Sequence, residues 1–284
     1  MFKSAILLVG LSLVDKLGKE KPSVRLLKLE TYNAYMNMAI DEAIARLRSK
    51  DRTVDTLRFY RWKPSAVSVG YFQNTAEEVD LDECRRLNVD VVRRMTGGGA
   101  VYHDYNGEIT YSIIVKEDSL GIPRDILKSY EVICGGIVLG LRNLGLDAEF
   151  KPVNDIQVGG KKISGNAQTR RWGTVLQHGT VLVDADIKTM FRVLKVGKEK
   201  ISDKLIKAVE ERVTTINRVL GKKIGFTEVY EALKGGFEKA LNIRLHEGEL
   251  TEEEKDLSRE LYEKKYTRRE WNLERPSKKL VEFL

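Results

Sequence analysis

The chain has 284 residues, of which 42% are hydrophobic and 32% charged, with a formal net charge of +7. That length supports a substantial core, in one large domain or two small ones. Two cysteines exclude a disulfide framework, and three dispersed histidines argue against a zinc site. Lysines are scattered and mixed with glutamates, as on an ordinary solvated surface, and no basic–aromatic stripe concentrates them. Nucleic acid is therefore not an expected partner.

Residues 5–14 form an apolar run too short to span a bilayer, and no small-residue cleavage site follows. Residues 1–22 read as an N-terminal extension, with no membrane partner. Ser23 to Glu30 reads as a strand. Met36, Ile40, Ala43, Ile44 and Leu47 then recur at helical spacing, with Thr31 or Asn33 available as a cap. Leu57–Arg61 and Ala66–Val69 are short strands. Thr75 and Glu78 carry a capping-box signature for a helix to about Leu87. Val89–Arg94, Ala100–His103 and Ile109–Val115 are strands, the last two joined by a turn at Tyr105-Asn106-Gly107.

A long helix is predicted from Asp125 to about Leu144, with Gly135, Gly136 and Gly140 allowing close approach to a sheet. Glu149–Val158 and Lys161–Ala167 form a hairpin about Gly159-Gly160, and Thr174–Val183 is a further strand. Helices follow at Thr227–Leu241 and from the Thr251…Glu254 capping box, and Arg275–Leu284 reads as a loose tail. Cys84 and Cys134 fall in apolar contexts and read as buried thiols, which fits a reducing cytoplasm. Strands in the middle with helices flanking them predict an α+β fold with a mixed or antiparallel sheet.

Three stretches carry chemistry. In Arg93-Arg94-Met95-Thr96-Gly97-Gly98-Gly99-Ala100-Val101-Tyr102-His103-Asp104, glycines let the backbone approach a ligand and arginines supply fixed charge for phosphate or carboxylate. The stretch is neither a P-loop nor a dinucleotide fingerprint, and an ordinary glycine turn is the competing reading. In Asn154 to Gln168, strand alternation sends Ile163, Gly165 and Ala167 one way and Lys162, Ser164 and Asn166 the other. Lys162 is a candidate for neutralising anionic charge, against a solvent-exposed lysine beside a turn. Asp155 is a candidate magnesium ligand, against a strand-end aspartate. The third stretch is Gln177-His178-Gly179-Thr180.

Together these stretches resemble the lipoate–protein ligase A family, over roughly Arg25 to Leu273. The segments that carry the resemblance are Asn37–Glu42, Val69–Asn74, Arg93–Asp104, Asn154-Asp155, Gly160–Gln168 and Gln177–Leu182. It implies an α+β catalytic domain like that of biotin–protein ligases, over residues 23–273, with a tail at 274–284. It also implies an ATP- and Mg2+-dependent reaction: lipoate becomes lipoyl-AMP, and the acyl group then passes to a lysine of an acceptor. On that resemblance Lys162 is catalytic. Arg93, Gly98, Gly99, Ala100 and Val101 form the nucleotide-binding loop. Asn154 and Asp155 lie near magnesium and phosphates, with Asp155 as metal ligand, and His178 and Gly179 flank the adenylate. Val69, Gly70, Tyr71 and Phe72, with Gly97 and Ser164, form the substrate pocket.

The implied partners are lipoyl domains of 2-oxoacid dehydrogenase E2 subunits and the glycine-cleavage H protein. Only twelve residues, Leu273 to Leu284, follow Trp271-Asn272, so a separate accessory subunit is also expected. Octanoyltransferases of the same superfamily use a cysteine nucleophile, and neither Cys84 nor Cys134 matches its positions. The reading is therefore an ATP-dependent ligase, with carrier-to-carrier octanoyl or lipoyl transfer as the alternative. Pocket length, which decides among lipoate, octanoate and biotin, stays open at this point.

Overall fold

The computed structural model describes residues 20–195 and 211–274. The apolar run at 5–14 and the tail from 275 onward lie outside the described residues.

The strands are β1 (Ser23–Tyr32), β2 (Thr56–Trp62), β3 (Ala66–Val69), β4 (Asp90–Arg93), β5 (Val101–His103), β6 (Glu108–Lys116), β7 (Ala148–Lys151), β8 (Asp155–Val158), β9 (Lys161–Arg171), β10 (Thr174–Leu182) and β11 (Arg244–Gly248). Eight form one sheet in the order β11-β1-β2-β6-β10-β9-β8-β7, and three form a smaller sheet in the order β4-β3-β5. β1 runs parallel to β11 and to β2, and the remaining pairs of the large sheet are antiparallel. The fold is α+β with a mixed sheet, as predicted.

Alternation assigns the two faces of the large sheet. Leu26, Phe59, Ile113 and Val175 pack against Ile133, Ile137, Leu233 and Phe237 of two helices, Ile126–Asn143 and Phe226–Ala240. Their neighbours Leu27, Ile114 and Leu176 pack on the other face against Ile40 and Ile44 of the helix Ala34–Ser49. Both faces of β6 are covered, so eight of its nine residues are buried. The helix starts follow capping chemistry: the side chain of Asn33 accepts from Met36 N, and that of Asp125 from Lys128 N. The Thr251…Glu254 capping box closes in both directions.

Three expectations change. The segment Thr75–Leu87 is two short helices, Thr75–Glu78 and Leu81–Arg86, capped by Asn74 and Asp80. Val79 is fully buried and extended, and Asp80 N donates to Val193 O, which pulls the chain out of helix between them. Residues 149–158 are two strands, with 152–154 as the turn between β7 and β8. The glycines of the long helix face another helix rather than a sheet. A Cβ on Gly136 would stand 2.4 Å from Phe237 Cδ1, and one on Gly140 would stand 2.8 Å from Leu233 Cα.

Candidate active site

The small sheet lies over part of the large one, and a cavity of about 180 Å3 separates them. Its floor is a row of cross-strand neighbours. Thr180 on β10 pairs with Thr110 on β6, which pairs with Tyr60 on β2, and Gly165 N on β9 donates to Thr180 Oγ1 at 3.4 Å. The roof is Ser68, Arg94, the glycine loop and His103. At one end Lys162 is 40% exposed at its side chain, whereas at the other Trp62 is 1% exposed and donates through Nε1 to Thr110 Oγ1 at 2.7 Å. The cavity therefore opens beside Lys162 and closes at Trp62.

Arg94 shapes the roof. Its Nη2 donates to the carbonyls of Gly97 and Gly99 at 2.7 and 2.8 Å, its Nη1 to Ser68 O at 2.9 Å, and its Nε to Thr96 Oγ1 at 3.0 Å. One guanidinium thus folds the glycine run over the cavity, and burial lowers its pKa to about 10. Gly98 takes a φ of 93°, which a side chain resists. Gly70 lies against it, since a Cβ there would be 2.0 Å from Gly98 O.

Arg93 does not reach the cavity. Strand alternation turns it to the opposite side of β4, fully buried, where its guanidinium donates to the carbonyls of Gly70, Tyr71, Gln73, Trp271 and Glu274. It ties the C-terminal helix Arg269–Leu273 to the loop after β3. The arginine of the site is its neighbour, Arg94.

β9 brings Lys162, Gly165, Asn166 and Ala167 to the cavity. Strict alternation would separate Lys162 from Gly165, but the β8–β9 register shifts between Ile156/Ser164 and Gln157/Lys162. The extra residue is Ile163, a bulge that re-aims Lys162 along the strand. Its ammonium meets Asp155 Oδ1 at 2.6 Å. Ser164 is fully buried and stands outside the cavity lining, bonded to Asn166 Nδ2 at 3.4 Å. Asn154 holds β9 from the turn: its O accepts from Asn166 N and Nδ2 at 3.0 and 2.9 Å.

His178 sits on the floor with Nε2 2.7 Å from Thr96 Oγ1 and Nδ1 3.7 Å from Asp41 Oδ2. Burial lowers its pKa, partly opposed by Asp41, so the imidazole is neutral near pH 7. Burial alone would raise the Asp41 carboxyl, but Arg58, with the nearby His178 and a hydrogen bond from Ser112, holds it below the usual carboxylate range. His103 closes the inner end, stacked on Trp62 at 4.0 Å, with Nδ1 2.8 Å from Glu108 Oε1 and Nε2 2.8 Å from Ser68 Oγ.

Of the residues singled out from sequence, Lys162, Gly98, Gly99, Ala100, Val101, Asn154, His178 and Gly179 line the cavity. Arg93, Asp155, Val69, Gly70, Tyr71, Phe72, Gly97 and Ser164 do not. Val69 and Tyr71 are buried in other clusters and Phe72 is 76% exposed, so this segment is not the tunnel wall. Asp155 acts as the partner of Lys162. Among the described residues no group of three or more His, Cys, Asp or Glu is arranged to hold a metal ion. Arg94 and His103 stood in a singled-out stretch but were given no role of their own, and the residues missed outright are Met38, Ser68, Thr110, Tyr60 and Trp62. For the last three the signal was present, because a polar or aromatic residue on a buried strand needs a partner or a cavity.

Residues 33–238 match the family model described as the lipoyl protein ligase A/B catalytic domain. The chain belongs to that family. Two curated relatives are named octanoyltransferase LipM. The one from Brevibacillus brevis is 37% identical over 274 residues, covering 88% of this chain and 99% of the relative. The one from Kyrpidia tusciae is 38% identical over 270 residues, covering 87% and 97%. A solved structure from Thermoplasma acidophilum, described as a bi-partite lipoate protein ligase and its E2 lipoyl domain, superposes with a TM-score of 0.81 at 39% identity. That match covers 90% of this chain and 98% of the other.

The family reading from sequence stands, and the chain is an enzyme of the ligase and transferase family that modifies proteins by lipoylation. The ATP-dependent ligase reading is overturned by the relatives named octanoyltransferase. It rested on a missing cysteine. The structure confirms that no thiol lines the cavity: Cys84 and Cys134 are buried, and burial raises both to about 12. That excludes a thiol nucleophile from this cavity, but it does not exclude transfer.

Proposed function

We propose that the protein transfers an octanoyl or lipoyl group from a carrier-bound thioester to the ε-amine of a lysine on a lipoyl domain, without ATP. The observation that carries this reading is the match, over nearly the whole length of the relatives, to octanoyltransferases at 37–38% identity. The lipoyl domain as acceptor follows from the T. acidophilum neighbour. Two free, buried cysteines suit a reducing cytoplasm, and no helix among the described residues is long and apolar enough to cross a membrane.

The cavity supports an acyl chain of this length. From Gly165 to Thr110 is two inter-strand steps, roughly 10 Å, beyond which the Trp62–His103 stack closes the space. With carbon–carbon bonds of ~1.5 Å, an extended eight-carbon chain measures about 9 Å. The chain's carbonyl then lies at the open end beside Lys162.

The neutral acceptor amine attacks the thioester carbonyl. The new C–N bond forms, the C–S bond breaks, the carrier thiol leaves with the electron pair, and a proton passes from nitrogen to sulfur. Negative charge develops on the carbonyl oxygen, where Lys162 supplies a fixed cation. No step requires a covalent acyl-enzyme.

The test incubates the purified full chain with an octanoyl-loaded carrier and an unmodified lipoyl domain, and follows acceptor mass. Octanoylation without ATP is expected. Modification only when free acid and ATP are supplied would overturn the reading.

A further inference from the structure

The segment Tyr71-Phe72 was expected in the substrate pocket and is not there. Instead it meets the far end of β9. Arg171 Cζ stands 4.6 Å over the Tyr71 ring, and Tyr71 and Phe72 pack edge to face at 4.9 Å. Beside Arg171, Trp172 turns the β9–β10 hairpin with a φ of 55°. It is 44% exposed, and Arg46 covers its ring at 5.2 Å. Phe72 is the most exposed large hydrophobic side chain of the described residues, at 76%.

This face differs from a scatter of surface aromatics in its composition. The positive φ of Trp172 and of Gly173 is what a two-residue hairpin loop requires, and it holds the indole at the tip of the turn. Trp, Tyr and Arg are the residues in which interface binding energy is concentrated. Arg171 makes no ion pair with a carboxylate among the described residues and lies half-buried against the Tyr71 ring.

We propose that Arg171, Trp172 and Phe72 are the docking surface for an acidic face of the lipoyl domain that accepts the acyl group. This rests on the transfer reading for the identity of the acceptor. β9 supplies the geometry, with Lys162 at one end and Arg171 at the other. Nine residue steps of strand reach at most about 30 Å, which is the diameter of a small domain. A domain seated on Arg171 and Trp172 can therefore present a lysine on its opposite end to the mouth of the cavity. The glycine loop lies between, since Tyr71 N donates to Thr96 O and Gly70 abuts Gly98. Arg46 is already paired with the buried Glu42, so a carboxylate on the docked domain would pair with Arg171, and an apolar spot beside it would cover Phe72 and Trp172.

The test measures binding of an unmodified lipoyl domain to the full chain by calorimetry, and transfer kinetics against acceptor concentration. Arg171→Glu and the double variant Phe72→Ala/Trp172→Ala are each compared with Arg244→Glu, on the opposite edge of the large sheet. The patch variants should weaken binding and raise the acceptor KM at least ~10-fold, a change of about 1.4 kcal/mol, with kcat within ~2-fold. Arg244→Glu should change neither. Unaltered acceptor binding in both patch variants, weakened binding of the donor carrier alone, or no acceptor binding to the wild type overturns the proposal. Binding that is lost in the patch variants while the wild type transfers nothing from a thioester leaves the docking surface intact and refutes the transfer reading instead.

Discussion

The ammonium of Lys162 lies across the bare Cα of Gly165. A Cβ built on Gly165 would stand 2.8 Å from Lys162 Cε and 2.9 Å from Nζ. The bulge at Ile163 aims the lysine, and the missing side chain gives it room. Substituting Gly165 by Val should therefore reproduce much of the loss seen on removing Lys162. Lys162→Ala is expected to lower kcat by roughly 100- to 1000-fold, the scale for a group that meets developing oxyanion charge. Gly165→Val should cost about 10- to 100-fold, and the double variant should be no worse than Lys162→Ala alone. Additive losses in the kinetic cycle would show that Gly165 acts elsewhere.

Arg93 and Arg94 adjoin in sequence and serve opposite faces. Arg93→Leu strands several backbone carbonyls that now accept from a fully buried guanidinium. It should cost about 3–5 kcal/mol of unfolding free energy, the range for breaking a buried charge network. Arg94→Leu releases Gly97 and Gly99 and should depress transfer more than stability. Urea unfolding and single-turnover rates on both variants check this assignment, and a reversed pattern would contradict it.

The same pair shows where sequence was legible and where it was not. The Arg-Arg-x-Thr-Gly-Gly-Gly stretch announced a glycine loop beside fixed charge, and the structure puts both at one cavity. Which arginine faces in depends on the phase of a four-residue strand, and neither its length nor its partners are written locally. The bulge at Ile163 is equally silent, so alternation misassigned Ser164. Capping residues, by contrast, act within a few positions of their targets: Asn33, one of two caps offered, and Thr251 were read correctly, whereas the cap expected at Thr75 is its neighbour Asn74. Function lay furthest from reach. The choice between ligase and transferase turned on one absent cysteine, and a fold alone does not decide between related chemistries.

The helix pair shows a packing constraint that sequence only half revealed. Gly136 admits the Phe237 ring, and Gly236 admits the Gly136 carbonyl, where a Cβ would meet oxygen at 2.2 Å. Gly136→Ala should destabilise by about 1–3 kcal/mol through overpacking. Adding Phe237→Leu should recover part of that loss, because the clashing ring is gone. If the two substitutions simply add in chemical denaturation, the helices are not held at this contact.

His178 should make stability fall in mild acid. Burial, the largest influence, lowers its folded-state pKa below the ordinary 6.5, with Asp41 opposing only in part. Near pH 8 the imidazole is neutral in folded and unfolded chains and contributes nothing to the difference. As pH drops below 6.5, the unfolded chain takes up a proton that the folded chain refuses, so stability declines with a limiting slope of about 1.4 kcal/mol per pH unit. The decline ends once pH passes below the folded value. His178→Gln keeps a hydrogen-bonding side chain opposite Thr96 and removes the titration. The wild-type urea midpoint should therefore fall more steeply than the variant's from about pH 8 to about pH 5. Asp41 does not mimic this signal. Its folded pKa is depressed from 3.8, so its stabilisation is lost only at more acidic pH. Parallel curves for wild type and variant would mean that the folded chain takes up the His178 proton at the same pH as the unfolded chain, so that burial does not disfavour the imidazolium. A wild-type midpoint that falls less steeply than the variant's would mean that His178 is already protonated in the folded protein.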